Sequence, residues 1–278
     1  MSVSRSISRP LSYPLTHSIS VFRGALAPLP ALISSLFGAS EQGAFYIPRP
    51  VVLGEQALFQ DSAGTVPVTA DGDPVGRMLD QSGNGNHAIQ TVSGRRPVYR
   101  TDGVLHWLEF DGVDDELTWP APGFDGSSAF IVAMGINWSS LSGDFVGPFS
   151  PNQFSSQGLN IYFRKNQGQS LAFSHNSSFV GQLRSGDLIV DNPQIATFTF
   201  KEFALAIRQN GVAVGSVPTT ETNAESSGTG SIGGAPIPGS SSYFKGSVFS
   251  VAALPSSISP SALEDLEDYL ATQAGVTL

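Results

Sequence analysis

The chain has 278 residues, 40% of them hydrophobic, with 30 glycines, 19 prolines and 18 phenylalanines against 13% charged residues, and a formal net charge of −9. That balance favours strands and turns over helices, at a length that can bury one large core or two small ones and where all-β domains are often single. The acidic charge argues against nucleic acid as a partner, and the lack of cysteine excludes disulfides and thiolate metal sites.

Residues 2–21 read SVSRSISRPLSYPLTHSISV, with Ser, Thr or Pro at every even position and mostly larger side chains at the odd ones. A period of two belongs to an extended chain. Pro10 and Pro14 lack the N–H that a sheet ladder needs, and the strip is several times longer than a usual strand of about five or six residues. It is therefore expected to be an arm that orders on a partner surface by strand addition. Ile7, Leu11, Tyr13, Leu15 and Ile19 on the odd face are its candidate anchoring and inter-subunit residues. Residues 1–50 carry Arg5, Arg9, Arg23 and Arg49 with the single acid Glu41, too sparse a charge for strong phosphate binding.

Residues 25–37, ALAPLPALISSLF, start too late for a leader peptide, are too short to span a bilayer and are broken by Pro28 and Pro30. A buried turn or short helix joining arm to body is expected, with no membrane insertion. The domain division follows as an arm and linker over 1–54 and a folded domain over 55–278. Residues 62–88 are dense in turn formers. From residue 105 onward, the short apolar runs HWLEF, ELTW, AFIVAMGINW, NIYFR, LAFS, QIATFTF, FALAIRQNG, SIGG and YFKGSVFSVAAL alternate with Gly, Asn, Asp and Ser, the pattern of a sandwich or jelly roll. Residues 259–275, SPSALEDLEDYLATQAG, instead predict a helix capped by Ser259 or Ser261, with acids early, an apolar stripe of Leu263, Leu266 and Leu270, and Gly275 at its end.

The segment MLDQSGNGNHAIQTVSGRRPVYRTDGVLHWLEFDGVDDELTW, residues 78–119, resembles the opening of the concanavalin A-like, laminin-G-type jelly rolls of bacteriophage virion proteins. The matching positions are Asp80, Ser82, Gly83, Gly85, Asn86, His87 and Ala88, then Phe110, Asp111, Gly112, Asp114 and Asp115. IRQNGVAVGS (207–216) is similar to that family's hairpin, and Asn210-Gly211 is a hairpin signal in its own right. SIGGAP and SYFKGSVFSVAAL look like its last strands, so that the likeness covers residues 55–278.

The resemblance implies an all-β, concanavalin A-like jelly-roll sandwich with an extended N-terminal arm and one short C-terminal helix. It implies a structural component of a tailed-phage particle, on the outer surface of the virion, with the head favoured over the tail as a minor capsid or decoration protein. A homotrimer is expected, fastened by its arm to the major capsid protein or other virion proteins, with weak binding of a host-surface glycan at an unassigned site. The alternatives are a tail fibre or receptor-binding tail protein, and a glycan-degrading enzyme.

Glu109 and Asp111 share a strand face at a spacing of two, yet no third acid follows at the position a glucanase strand requires, so no catalytic residue is nominated. Asp111, Asp114 and Asp115 lack the ordered spacing of a calcium loop and are expected to cap the backbone of a turn, so no metal is assigned. His17, His87, His106 and His175 are scattered, and no phosphate-cradling loop is present, so no cofactor is expected. Trp107, Trp119, Trp138, Tyr162 and Tyr243 could stack on sugars, but filling the core or the trimer contacts is the expected use of most of them.

Overall fold

The computed structural model describes residues 26–122, 129–140, 147–150, 160–164, 170–174, 191–201, 204–218, 228–234, 243–255 and 257–278. A first helix, α1 (Leu29–Phe37), is followed by β1 (Ala44–Tyr46), β2 (Val51–Val52), β3 (Glu55–Gln56), β4 (Leu58–Phe59), β5 (Arg77–Met78), β6 (Ala88–Ile89), β7 (Val98–Thr101) and β8 (His106–Asp111). Then come β9 (Leu117–Pro120), β10 (Phe130–Ser140), β11 (Phe149–Ser150), β12 (Asn160–Arg164), β13 (Ser170–Ser174), β14 (Gln194–Lys201), β15 (Ala204–Gln209), β16 (Val212–Pro218), β17 (Thr229–Ile232), β18 (Lys245–Leu254) and the helix α2 (Pro260–Ala274).

The larger, eight-stranded sheet runs β16-β15-β14-β10-β18-β8-β7, with β1 also paired to β18, and the six-stranded sheet runs β11-β17-β9-β6-β5-β4. All the described pairings in the two sheets are antiparallel. The chain crosses between sheets at β6–β7, β8–β9, β9–β10, β10–β11, β16–β17 and β17–β18, which makes it the expected all-β sandwich of two packed antiparallel sheets.

Alternation along the strands divides the apolar residues between two cores. In β10, Phe130, Val132, Met134, Ile136 and Trp138 face the core between the sheets, whereas Ile131 and Ala133 face the helices. In β18 the parity reverses part-way. Val248 faces the inter-sheet core, but beyond Phe249 that role passes to Val251 and Ala253. The register jumps from Gly135 opposite Ser250 to Ile136 opposite Val248, so Phe249 is the extra residue of a bulge, turned to the helix side. Trp119 and Trp138 are fully buried, each contributing about 2–3 kcal/mol through loss of apolar surface from water.

The outer face of the large sheet is covered by α1 and α2, giving three layers. The Ser259 side chain caps α2 by accepting from the Ala262 N–H at 3.1 Å, Pro260 opens it, and Gly275 closes it in the left-handed conformation. Leu266 and Leu270 are completely buried, with Leu263 partly so. The first turn holds no acid; Glu264 and Asp265 come one turn later than the dipole would reward. Asn210 and Gly211, at φ 47° and 74°, form the mirror-image two-residue turn joining β15 to β16.

A boundary at residue 54/55 does not follow the packing. Leu32 and Leu36 of α1 and all of β1 are buried in the two cores, so α1 and β1 belong to the body of the fold and not to a linker. The arm residues Ile7, Leu11, Tyr13, Leu15 and Ile19 lie outside the described residues. Among the described residues no helix is long and apolar enough to cross a membrane.

Candidate functional site

The most recognisable motif, at residues 80–88, folds into a polar clamp around the segment that leads into the sandwich. The buried Asp80 carboxylate accepts from the Phe45 and Ser82 N–H groups at 2.9 Å through Oδ1, and from Ser82 Oγ at 2.7 Å and the Asn86 N–H at 3.0 Å through Oδ2. Asn86 donates its amide to the Gly43 carbonyl at 2.8 Å, Asn84 donates to the carbonyls of Glu41 at 3.0 Å and Gly43 at 3.2 Å, and the Tyr46 hydroxyl donates to the Asn86 carbonyl. Gly43 sits at φ +124°, where a Cβ would lie 2.1 Å from the Ala253 carbonyl, so no other residue fits between the clamp and β18.

His87 accepts the Asp80 N–H on Nδ1 at 3.1 Å, which requires that nitrogen to be unprotonated. Burial, followed by the Arg77 charge, lowers its pKa and favours that neutral form. These residues are occupied with one another and with the backbone, so the motif is structural.

The second cluster is the β8–β9 turn. Asp111 Oδ1 accepts from the Val113 N–H at 2.8 Å and the Asp114 N–H at 3.3 Å, while Asp115 Oδ2 accepts from the Asp111 N–H at 3.0 Å, the backbone-capping arrangement expected of a turn. One carboxylate oxygen from each of Asp111, Asp114 and Asp115 lies within 4.8 Å of the others. Burial, aided by the charges of Asp111, Asp114 and Glu109, raises the Asp115 pKa to about 7. Arg95 faces this turn, with Nε 3.6 Å from Asp114 and Nη1 3.4 Å from Glu116. The three acids could hold a divalent cation, though they supply fewer than the six to eight oxygens calcium takes.

Glu109 and Asp111 do share an exposed face of β8, as their spacing requires. Glu109, however, is paired with Arg100 at 2.6 Å and Asp111 is tied to its turn. Neither described cleft is lined by any of these acids. One cleft, of about 240 Å³, lies over β6, β9 and β17, lined by Ile89, Thr118, Trp119, Pro120, Gly228 and Thr229.

Among the aromatic candidates, Trp119 is packed against Phe149 and Tyr46, at ring distances of 5.5 and 6.0 Å, and Trp138 against Phe244 at 4.8 Å, so both belong to the core. Trp107 packs on Phe249 on the helix side and Tyr243 is half-buried. His106 meets the Tyr99 hydroxyl at 2.6 Å, an interaction that the scattered histidines give no reason to expect. The side chain of Tyr162, and His17 and His175 entirely, lie outside the described residues.

No known family matches the chain, and no curated protein does. Among solved structures, Trypanosoma rangeli sialidase in complex with 2,3-difluorosialic acid, a covalent intermediate, superposes with a TM-score of 0.54 at 14% identity over 86% of this chain. An arabinofuranosidase complexed with arabinofuranosyl-α-1,2-xylobiose gives 0.55 at 15% identity over 72% of this chain. The chain spans 34% of the sialidase and 51% of the arabinofuranosidase. At these identities the likeness is one of fold.

Proposed function

We propose that the chain is a non-catalytic display module of a tailed-phage particle, a lectin-like sandwich fastened through residues 1–25 and presented on the outer surface, with the head favoured. The observation that carries this reading is the clamp: Asp80, Asn84 and Asn86 brace residues 41–45, which join the buried α1 to β1, on the path by which tension on an N-terminal anchor would pass from α1 to the sheets. A glycan is the proposed external ligand, by analogy with the sugar complexes of similar fold, and many copies would compensate for weak single sites. As a decoration protein it would assemble as a trimer on the major capsid protein or its neighbours.

A glycan-degrading role is the second reading, and Asp115 is what favours it, since a carboxyl protonated near neutral pH can act as a general acid. Against it, Asp115 is tied to the Asp111 N–H and neither described cleft contains it. The test is to incubate the purified chain with a panel of bacterial surface polysaccharides, reading both retention and release of new reducing ends. Weak retention without release is expected; release that disappears in Asp115→Asn would replace the display role by catalysis.

A further inference from the structure

We infer that Arg49, flanked by His106 and Tyr269, is a binding site for the carboxylate of an acidic sugar. This rests on the proposed reading of a glycan as the external ligand, and it names the chemical class of that glycan and the residues that hold it.

Arg49 stands between two prolines in the sequence IPRPVV, residues 47–52. The Pro48 ring fixes one φ angle and Pro50 holds Arg49 in the extended region, while the Arg49 N–H donates to the Ile47 carbonyl at 2.8 Å and closes a turn on Pro48. Ile47 is 1% exposed, so the backbone that carries Arg49 is fixed before any ligand arrives. The Arg49 side chain is half-buried, and its Nε is buried with no hydrogen-bond partner. None of the described ion pairs includes it. A guanidinium withdrawn from water without a partner is destabilising, and an anion removes that penalty.

Strand register places this cation in a gap. β1 and β8 occupy successive stretches of one edge of β18: Tyr46 stands opposite Val251 and Leu108 opposite Val248, about 10 Å apart along the strand. Residues 47–49 therefore leave the sheet where β8 begins. Tyr99, bonded to His106, lies on the inter-sheet side of this gap, and Tyr269, whose ring is 5.7 Å from that of Phe45, on the helix side.

Electrostatics agrees with the placement. Burial, and after it the Arg49 charge, lowers the His106 pKa, with Asp102 opposing. Burial raises the Tyr269 pKa and the Arg49 charge opposes it. Burial also raises the Tyr99 pKa, with Arg49 among the opposing influences, so the Tyr99 hydroxyl keeps its proton and donates to His106 Nδ1 at 2.6 Å. The neutral imidazole then carries its own proton on Nε2, which leaves a further donor for a ligand.

These groups select the ligand. Arg49 supplies the one full positive charge among them, and the exposed acids Asp71 and Asp102 act on Tyr99 and His106. A singly charged anion fits such a balance, whereas a phosphate dianion or a polyanion is repelled, the more so by a chain of net charge −9. The planar fork of arginine matches a carboxylate edge to edge. Trp107, the next residue of β8 after His106, is half-buried against Phe249 and offers an aromatic surface for the sugar ring that bears the carboxylate.

The test follows the His106 imidazole of the full chain by NMR, its signals assigned with His106→Gln, during pH titrations with methyl glucuronide, methyl glucoside, acetate or inorganic phosphate at matched millimolar concentrations. A bound carboxylate stabilises the imidazolium, so methyl glucuronide is expected to raise the His106 pKa saturably, and the other three to leave it nearly unchanged. In Arg49→Gln the His106 pKa is expected to start higher, because the neighbouring cation is gone, and to lose its response to methyl glucuronide. If that variant unfolds, the four wild-type titrations decide alone. No response in the wild type, a response kept in folded Arg49→Gln, or an equal response to methyl glucoside or phosphate would overturn the site; an equal response to acetate would overturn the sugar in favour of any carboxylate, a protein side chain included. Retention of a polysaccharide by the chain with His106 silent would remove this site and leave the glycan reading standing, whereas no retention and a silent His106 would remove both.

Discussion

Asp80 and Phe45, thirty-five residues apart in the chain, are joined by a buried 2.9 Å hydrogen bond from the Phe45 N–H to Asp80 Oδ1. The same carboxylate holds Ser82 and Asn86, so Asp80→Ala strands several buried donors at once. A loss of about 3 kcal/mol is expected in urea unfolding, with Asp80→Asn in between. Amide exchange at Phe45 should accelerate in the Ala variant; unchanged exchange would show that β1 is held by its pairing with β18 alone.

The β8–β9 turn makes stability depend on pH. The Asp115 pKa rises on folding from its ordinary 3.8 to about 7, so between those values the native state keeps a proton that the unfolded chain has lost. The contribution is greatest below about pH 4 and declines as pH rises to about 7. Comparing wild type with Asp115→Asn cancels opposing groups such as His87, whose lowered pKa acts in the other direction. The stability of Asp115→Asn relative to wild type should increase from pH 4 to 8; a constant difference would refute the raised pKa.

Helix α2 is fixed by a two-pronged ion pair, with Arg208 Nε 2.9 Å from Glu267 Oε1 and Nη2 2.9 Å from Oε2. Glu267 is 1% exposed, so Glu267→Ala leaves the Arg208 charge poorly compensated and is expected to cost about 2–4 kcal/mol. Replacing both, as Arg208→Met with Glu267→Leu, should return to within about 1 kcal/mol of wild type. Thermal unfolding of wild type and the two variants decides whether the pair stabilises the helix or only specifies its position.

Much of the sandwich is legible in the sequence because its signals are local. The alternation in 130–138, the Asn210-Gly211 turn and the Ser259 cap each fix geometry within a few residues. The bulge at Phe249 is not legible, since an extra residue changes which face a strand buries without changing its composition. Nor is the insertion of β1 beside β18, which depends on a pairing over two hundred residues long in sequence. At the candidate site, Asp111 as a backbone cap follows from its turn, but the partners of Asn84 and Asn86 at residues 41–43 and the Arg208–Glu267 pair are contacts between distant segments with no periodic signature.

The display role is tested most directly by electron microscopy of intact particles carrying either the full chain or a variant without residues 1–25. The account predicts density at many symmetric positions on the head with the full chain, and none with the variant. Density confined to the tail, or retained without residues 1–25, would contradict it.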